Sequence, residues 1–242
     1  MRILGVIPAR YRSSRFPGKP LVDIDGRPMI ARVYDRAVQA PELDRVVVAT
    51  DDARIEAACS ALDIPVIMTR DDHRTGTDRV AEVAEREAAD LYVNIQGDEP
   101  LIDPNSISAA TAPFLEDEAR AFEVTNLMTP VRRMSDLSDN TVPKVVVNGR
   151  GDAVYLSRLP IPYPKDNRDY DYYKQVCVYT FTPEALRRFT ELSSGPSERA
   201  EGIEVLRFIE HGITVRMVMV EDDTVAVDTP GDVELVLQRL RA

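Results

Sequence analysis

Cysteine is nearly absent from this 242-residue chain, which excludes a disulfide-stapled scaffold. Cys59 and Cys177 are too few for a framework of bridges, and their separation is not that of a thiolate metal site, so both are expected in the core. Histidine is just as scarce. His73 and His211 stand far apart with no nucleophile signature beside either, and no HExxH, CxxC or GxSxG pattern occurs. Zinc and hydrolase chemistry therefore lack residues to stand on. Basic charge is also short: a formal net charge of -11 argues against a protein that coats nucleic acid or an anionic membrane, and neither is expected as a partner. No apolar run approaches the roughly 20 residues that cross a bilayer. The opening MRILGVIPAR lacks the basic-then-apolar build of a secretory signal, so a cytoplasmic location is expected. Repeats and low-complexity stretches are missing as well.

What is present is an alternation of short apolar runs with amphipathic segments of ten or so residues. Residues 2–7, 45–49, 65–68 and 91–95 read as strands, and 52–62 and 77–89 as helices. Pro28 sits well at a first helical position after the turn Asp25-Gly26-Arg27, opening a helix to about Gln39. This pattern predicts an α/β fold, a doubly wound, mostly parallel sheet of Rossmann-like nucleotidyltransferase type, within one domain spanning 1–242. From 126 to 180 the character changes to extended segments (144–147, 153–156 and 176–181) and the proline-spaced LPIPYP, expected as a small antiparallel insertion or dimerisation lobe. Helices over 183–192 and 198–210, a strand over 214–220 and a last helix from Pro230 complete the reading.

In such folds the site lies at the carboxyl ends of the strands, which predicts a site collecting 8–19, Thr50, Asp51 and 96–100. The stretch RYRSSRFPGKP, residues 10–20, holds Arg10, Arg12, Arg15 and Lys19 and no acid, in a chain that is otherwise acidic. Placed after the first strand, guanidiniums that grip phosphate oxygens in pairs and a lysine point charge make a cradle for a triphosphate. It is neither a Walker A loop nor a GxGxxG fingerprint, since Ser13 stands where the first glycine would and Pro20 follows the lysine. Asp98 follows a buried strand directly, a usual position for a carboxylate that holds Mg2+ against phosphates. Asp228, after a short apolar run and before Thr229-Pro230, reads equally as a second metal ligand and as a helix cap.

At this point the residues resemble a known family. The stretch IPARYRSSRFPGKPLVDIDGRPMI, followed in order by VVVATDD, HRTGTDR, NIQGDEP, AVYLSRLPIP and VDTPGD, is similar to the CMP-Kdo synthetases, the 3-deoxy-manno-octulosonate cytidylyltransferases, over essentially the whole chain. The resemblance implies CTP and a small acidic acceptor as substrates, Mg2+, pyrophosphate release and a homodimer. By position it implies that Pro8, Ala9, Arg10, Arg15, Lys19, Thr77 and Gln96 meet the nucleotide. Arg10, Arg15, Lys19 and Asp98 then serve the chemistry, and Asp98 and Asp228 bind metal. Arg79, Ser157, Arg158, Gln175, Tyr179, Glu201 and Glu204 face the acceptor.

Two departures concern the acceptor. Where the family reads HLGIYGY this chain has QVCVYTF, with Gln175 in place of the histidine and Tyr179 kept; where it reads LEQLR this chain has IEVLR, with Val205 in place of glutamine and Glu204 kept. Kdo, an 8-amino analogue of Kdo and a phosphonate such as phosphonoformate all stay open as acceptors. Two rivals are a regulatory module that binds nucleotide without turnover, and a sugar-1-phosphate uridylyl- or thymidylyltransferase. The intact carboxylates oppose the first. PARYRSSR in place of a glycine-rich GxGTRL loop opposes the second.

Overall fold

The structure, a computed structural model, describes residues 1–12, 16–116, 121–165, 170–221 and 224–241. After β1 (Ile3–Ala9) come a single 3-10 turn (Lys19–Leu21), a hairpin of β2 (Asp23–Ile24) and β3 (Arg27–Pro28), and helix α1 (Met29–Ala37). The hairpin turns on Asp25 (φ 54°) and Gly26 (φ 79°), the left-handed pair that a two-residue connection of this twist requires. Then follow β4 (Arg45–Thr50), α2 (Ala53–Ser60), β5 (Val66–Met68), α3 (Gly76–Arg86), β6 (Leu91–Ile95) and α4 (Pro104–Glu116). The second half holds β7 (Val124–Pro130), α5 (Met134–Ser138), β8 (Lys144–Val147), β9 (Ala153–Ser157) and β10 (Tyr173–Phe181). It ends with α6 (Pro183–Glu191), α7 (Pro196–Glu201), α8 (Leu206–Glu210), β11 (Val215–Met219) and α9 (Pro230–Arg241).

The main sheet runs β11-β7-β10-β6-β1-β4-β5. β1 pairs in parallel with β4 and β6, β4 with β5, and β7 with β11, while β10 is antiparallel to both β6 and β7. Along this path only β10 is reversed, so the carboxyl ends of β1, β4 and β6 open on one edge. β1 is buried along its whole length, as expected of a strand covered on both faces. Its odd residues Ile3 and Ile7 pack into one apolar cluster with α1, α2 and α4; its even residues Leu4 and Val6 join a second with α3, α6 and α8. A third, smaller cluster joins Ile24 of β2, Met29 of α1 and Val227 and Val236 at the far end of the chain. Among the described residues no helix is long and apolar enough to cross a membrane.

The mostly parallel α/β fold expected from the sequence is the one observed. Segment 126–180 is divided in its placement: β7 and β10 lie inside the main sheet, and β8 and β9 branch from β10 as an antiparallel pair. The helix expected over 198–210 is two short ones, because Gly202 takes a left-handed φ of 62° and closes α7 with its amide on the Glu198 carbonyl at 2.8 Å. Both α4 and β7 were missing from the sequence reading. Pro113 inside α4 breaks the helical pattern, and β7 carries Thr and Asn among its apolar residues.

Candidate functional site

Three loops converge on Pro8 at the end of β1, and two glycines allow it. A Cβ on Gly97, after β6, would stand 3.2 Å from the Pro8 carbonyl; one on Gly76, opening α3, would stand 3.3 Å from the Pro8 ring and 3.4 Å from the Gln96 amide nitrogen. The cleft so formed is lined by Pro8, Ala9, Arg10, Lys19, His73, Arg74, Thr75, Gly76, Arg79, Gln96, Asp98, Glu204 and Asp228, among others. Its cations (Arg10, Lys19, Arg74 and Arg79) face a region bounded by Asp98, Asp228 and Glu204.

Lys19 enters from a turn held at its base by Gly18. The Gly18 amide donates to the Tyr11 carbonyl at 2.9 Å, and its φ of 76° is one that a side chain would strain. Asp98 comes straight off β6. Asp228 is delivered from the other end of the chain: the Val227 amide donates to the Asp98 carbonyl at 2.8 Å, and Val227 is buried in the third apolar cluster with Ile24 and Met29. The burial of such a side chain contributes about 1.5–3 kcal/mol, so this small cluster is a firm hinge plate under the site. The result is an ammonium between two carboxylates, Lys19 Nζ lying 2.8 Å from Asp98 Oδ2 and 3.4 Å from Asp228 Oδ1. The sequence left Asp228 between capping and metal binding. In the structure Asp232 accepts from the Thr229 amide at 2.7 Å and from the Asp228 amide at 3.0 Å at the head of α9, while the Asp228 carboxylate turns to Lys19.

Helix α3 presents its N-terminus to the cleft. Thr75 and Asp78 cap it reciprocally, and the Gly76 and Thr77 amides donate to the Glu204 carboxylate at 3.2 and 3.0 Å. Glu204 reaches them because it stands in the break that Gly202 makes between α7 and α8. Arg79 is buried, and its guanidinium meets Asp51 at 2.9 Å and the Thr69 hydroxyl. Burial pushes its pKa down, against the pull of Asp51, without threatening a guanidinium's charge at neutral pH. This pair joins Asp51, just after β4, to Arg79 of the cleft, while neither Asp51 nor Thr50 is among the lining residues.

The sequence passed over His73, which lines the cleft. Its Nε2 meets the buried carboxylate of Glu82, which also accepts from the Arg70 amide at 3.0 Å and from Arg86. Burial opposes ionisation of Glu82, but these donors outweigh it and hold its carboxyl below the ordinary range. The one available sequence signal was the place of His73 just ahead of the GTDR segment.

The expected acceptor residues fall into separate groups. Arg79 and Glu204 line the cleft. Gln175 and Tyr179 are buried behind it, the Gln175 amide donating to Asn126 at 2.8 Å and to the Tyr179 oxygen at 3.2 Å; burial pushes the Tyr179 phenol well up. Gln175 also lines a second cavity, with Glu99, Lys174 and Cys177, which meets the cleft at Asp228. Ser157, Arg158 and Glu201 lie outside the cleft lining and bind one another: Glu201 accepts from the Ser157 hydroxyl at 2.8 Å and the Arg158 amide at 2.9 Å, and the Arg158 guanidinium reaches the Asn140 carbonyl at 2.9 Å. Val205 is a core residue packed with Leu206 and Phe208, so a polar group is missing from the core there rather than from the cleft. Arg15 lies outside the described residues.

A family model described as cytidylyltransferase matches residues 4–217. This chain belongs to the cytidylyltransferase family. It is therefore a nucleotidyltransferase. Among the family's curated members, the 3-deoxy-manno-octulosonate cytidylyltransferase of Syntrophotalea carbinolica is 46% identical, over 100% of this chain and 99% of its own. The protein of the same name from Escherichia coli is 44% identical over 96% of this chain and 93% of its own. A solved structure of CMP:2-keto-3-deoxy-manno-octonic acid synthetase complexed with CTP superposes with a TM-score of 0.93 at 42% identity, covering 100% of this chain and 99% of that one. A putative glucose-1-phosphate thymidylyltransferase from Bacillus anthracis, at 13% identity and a TM-score of 0.71, shares the fold.

Proposed function

We propose that this cytidylyltransferase moves CMP from CTP to 3-deoxy-manno-octulosonate (Kdo) and releases pyrophosphate. The observation that carries the reading is the meeting of Lys19, Asp98 and Asp228 at the strand-end cleft, in a chain whose full-length relatives bear that activity in their names. The acceptor hydroxyl oxygen attacks the α-phosphorus: one P–O bond forms, the bond to the pyrophosphate oxygen breaks, the hydroxyl proton is lost to solvent, and no side chain serves as nucleophile. Lys19 and Arg10 neutralise charge on the departing pyrophosphate. Pro8, Ala9, Gln96 and Thr77 shape the nucleotide side, and we place Arg15 in the same clamp.

The acceptor lies on the Glu204 and Asp228 side, toward Gln175 and Tyr179, with Arg79 across the cleft. We read Ser157, Arg158 and Glu201 as the support of that wall. Asp98 and Asp228 fit Mg2+, an ion that takes one or two protein carboxylates beside phosphate oxygens. Among the described residues no group of three or more His, Cys, Asp or Glu side chains gathers into an all-protein metal cage. Bound there, the ion would screen phosphate charge.

We further propose a homodimer located in the cytoplasm, where CTP is made. Its face is the β8–β9 branch and the segment after it, where Leu159 and Tyr163 are 70% and 87% exposed and Val154 is also exposed. Pyrophosphate release from CTP with Kdo, monitored by a coupled phosphate assay, tests the function. Turnover with Kdo and with no other nucleoside triphosphate of comparable efficiency is the expected result. Absence of turnover with Kdo, or a faster reaction with phosphonoformate, would overturn the acceptor.

A further inference from the structure

Two carboxylates meant for a divalent cation repel each other when the cation is away, and in this structure the protein itself supplies the charge that stands between them. The Lys19 ammonium lies 2.8 Å from one carboxylate and 3.4 Å from the other. None of the three side chains is deeply buried, their exposures being 15%, 27% and 26% for Lys19, Asp98 and Asp228, so each can exchange partners without opening the core. Their backbones are another matter. The 3-10 turn, the Val227 amide on the Asp98 carbonyl and the third apolar cluster hold all three main-chain positions. Only the lysine has the reach to leave. Its ammonium is a compact point charge with three donors on a flexible four-carbon stem, able to bridge two oxygens or swing to a third anion.

We infer that Lys19 is an exchangeable internal counter-ion: in the nucleotide-free protein it stands against Asp98 and Asp228 where a divalent cation would bind, and an incoming triphosphate draws it away from both carboxylates, which then take metal. The inference rests on the reading above, that Asp98 and Asp228 serve metal and Lys19 serves phosphate. It adds an order of events. Free Mg2+ competes with a tethered cation at effectively high local concentration and binds poorly, whereas nucleotide relieves that competition. Since such coupling is reciprocal, one side chain links the two ligands' affinities. No covalent step is involved.

The test is a nucleotide-free titration with Mn2+, free ion being read by electron paramagnetic resonance, which avoids chelation of the metal by CTP. Wild-type protein should bind Mn2+ weakly, and Lys19→Met and Lys19→Gln should each bind it about tenfold more tightly or better, within the usual range of site coupling. Adding Asp98→Asn to either variant should abolish the gain. Two lysine variants of different polarity, each checked by far-ultraviolet circular dichroism and melting, separate ion competition from a local packing change. Equal Mn2+ affinity in wild type and both variants would overturn the inference, as would a gain that survives Asp98→Asn. Failure of the underlying reading has a different signature: Asp98→Asn alone would leave CTP-dependent pyrophosphate release intact.

Discussion

Asp98 lines the cleft and Glu82 lies buried behind it against His73, two carboxylates in opposite settings. Asp98 is part-exposed and joined to the Lys19 ammonium, the setting expected of a group that serves a substrate. Asp98→Asn keeps its shape and removes its charge, so turnover should fall by about 10²–10³-fold, the cost of losing one preorganised electrostatic contact, with the melting temperature little changed. Steady-state kinetics beside a thermal melt would check it; an unchanged kcat would remove Asp98 from the chemistry. Glu82 is buried, with His73, Arg86 and the Arg70 amide around it, and serves the fold. Its folded pKa is depressed, so its stabilisation is present above the ordinary carboxylate value near 4.5 and is lost as the pH falls through the lower folded value. Urea unfolding should therefore show Glu82→Gln less stable than wild type by about 3 kcal/mol at pH 7, because a buried pair is broken. The difference should shrink below pH 4. A constant difference at every pH would mean that packing, not charge, is at stake.

At the scale of elements, the informative one is the interruption between α7 and α8. A continuous helix from 196 to 210 would carry Glu204 away from α3; Gly202, at φ 62°, breaks it and sets the carboxylate on the Gly76 and Thr77 amides. Gly202→Ala should cost about 1 kcal/mol in stability, the penalty for a side chain in the left-handed region. It should also raise KM more than it lowers kcat, since it displaces a wall of the cleft rather than the reacting groups. Loss of stability with KM unmoved would unlink the break from the site.

The same elements mark what was legible beforehand. β1, β4 and β6 announce themselves as short apolar runs, and their parallel pairing places Arg10, Asp51 and Asp98 on one edge without further information. Lys19 was legible because its loop contradicts the acidity of the chain. Contacts that span the sequence were not. Glu204 meets Gly76 and Thr77, and Asp228 meets Lys19, only after the whole sheet has assembled, and no local pattern records such pairings. The tie among Ser157, Arg158 and Glu201 is of the same kind. His73 was discounted because a lone histidine carries no signature, and its partner Glu82 lies on a helix face that reads as solvent-exposed.

The molecule as a whole is acidic, yet it gathers Arg10, Lys19, Arg74 and Arg79 around one opening. Its other outward anomaly is apolar: Leu159 and Tyr163 stand in water on the segment that follows β9. If a second copy covers them, Leu159→Glu with Tyr163→Glu should turn a dimer into a folded monomer in sedimentation velocity. A wild-type monomer, or a double variant that stays dimeric, would locate the contact elsewhere or deny it.

The two carboxylates that meet Lys19 come from distant parts of the chain. Asp98 emerges early in synthesis, behind β6, whereas Asp228 follows β11, the last strand of the sheet, and is held by one amide on the Asp98 carbonyl and by Val227 and Val236 against Ile24 and Met29. Until that late segment docks, every strand of the main sheet can pair and both large apolar clusters can close without Asp228 in place. A refolding chain should thus pass through a state that has its sheet and, on the proposed reading, cannot yet react, and competence arrives when the last segment docks.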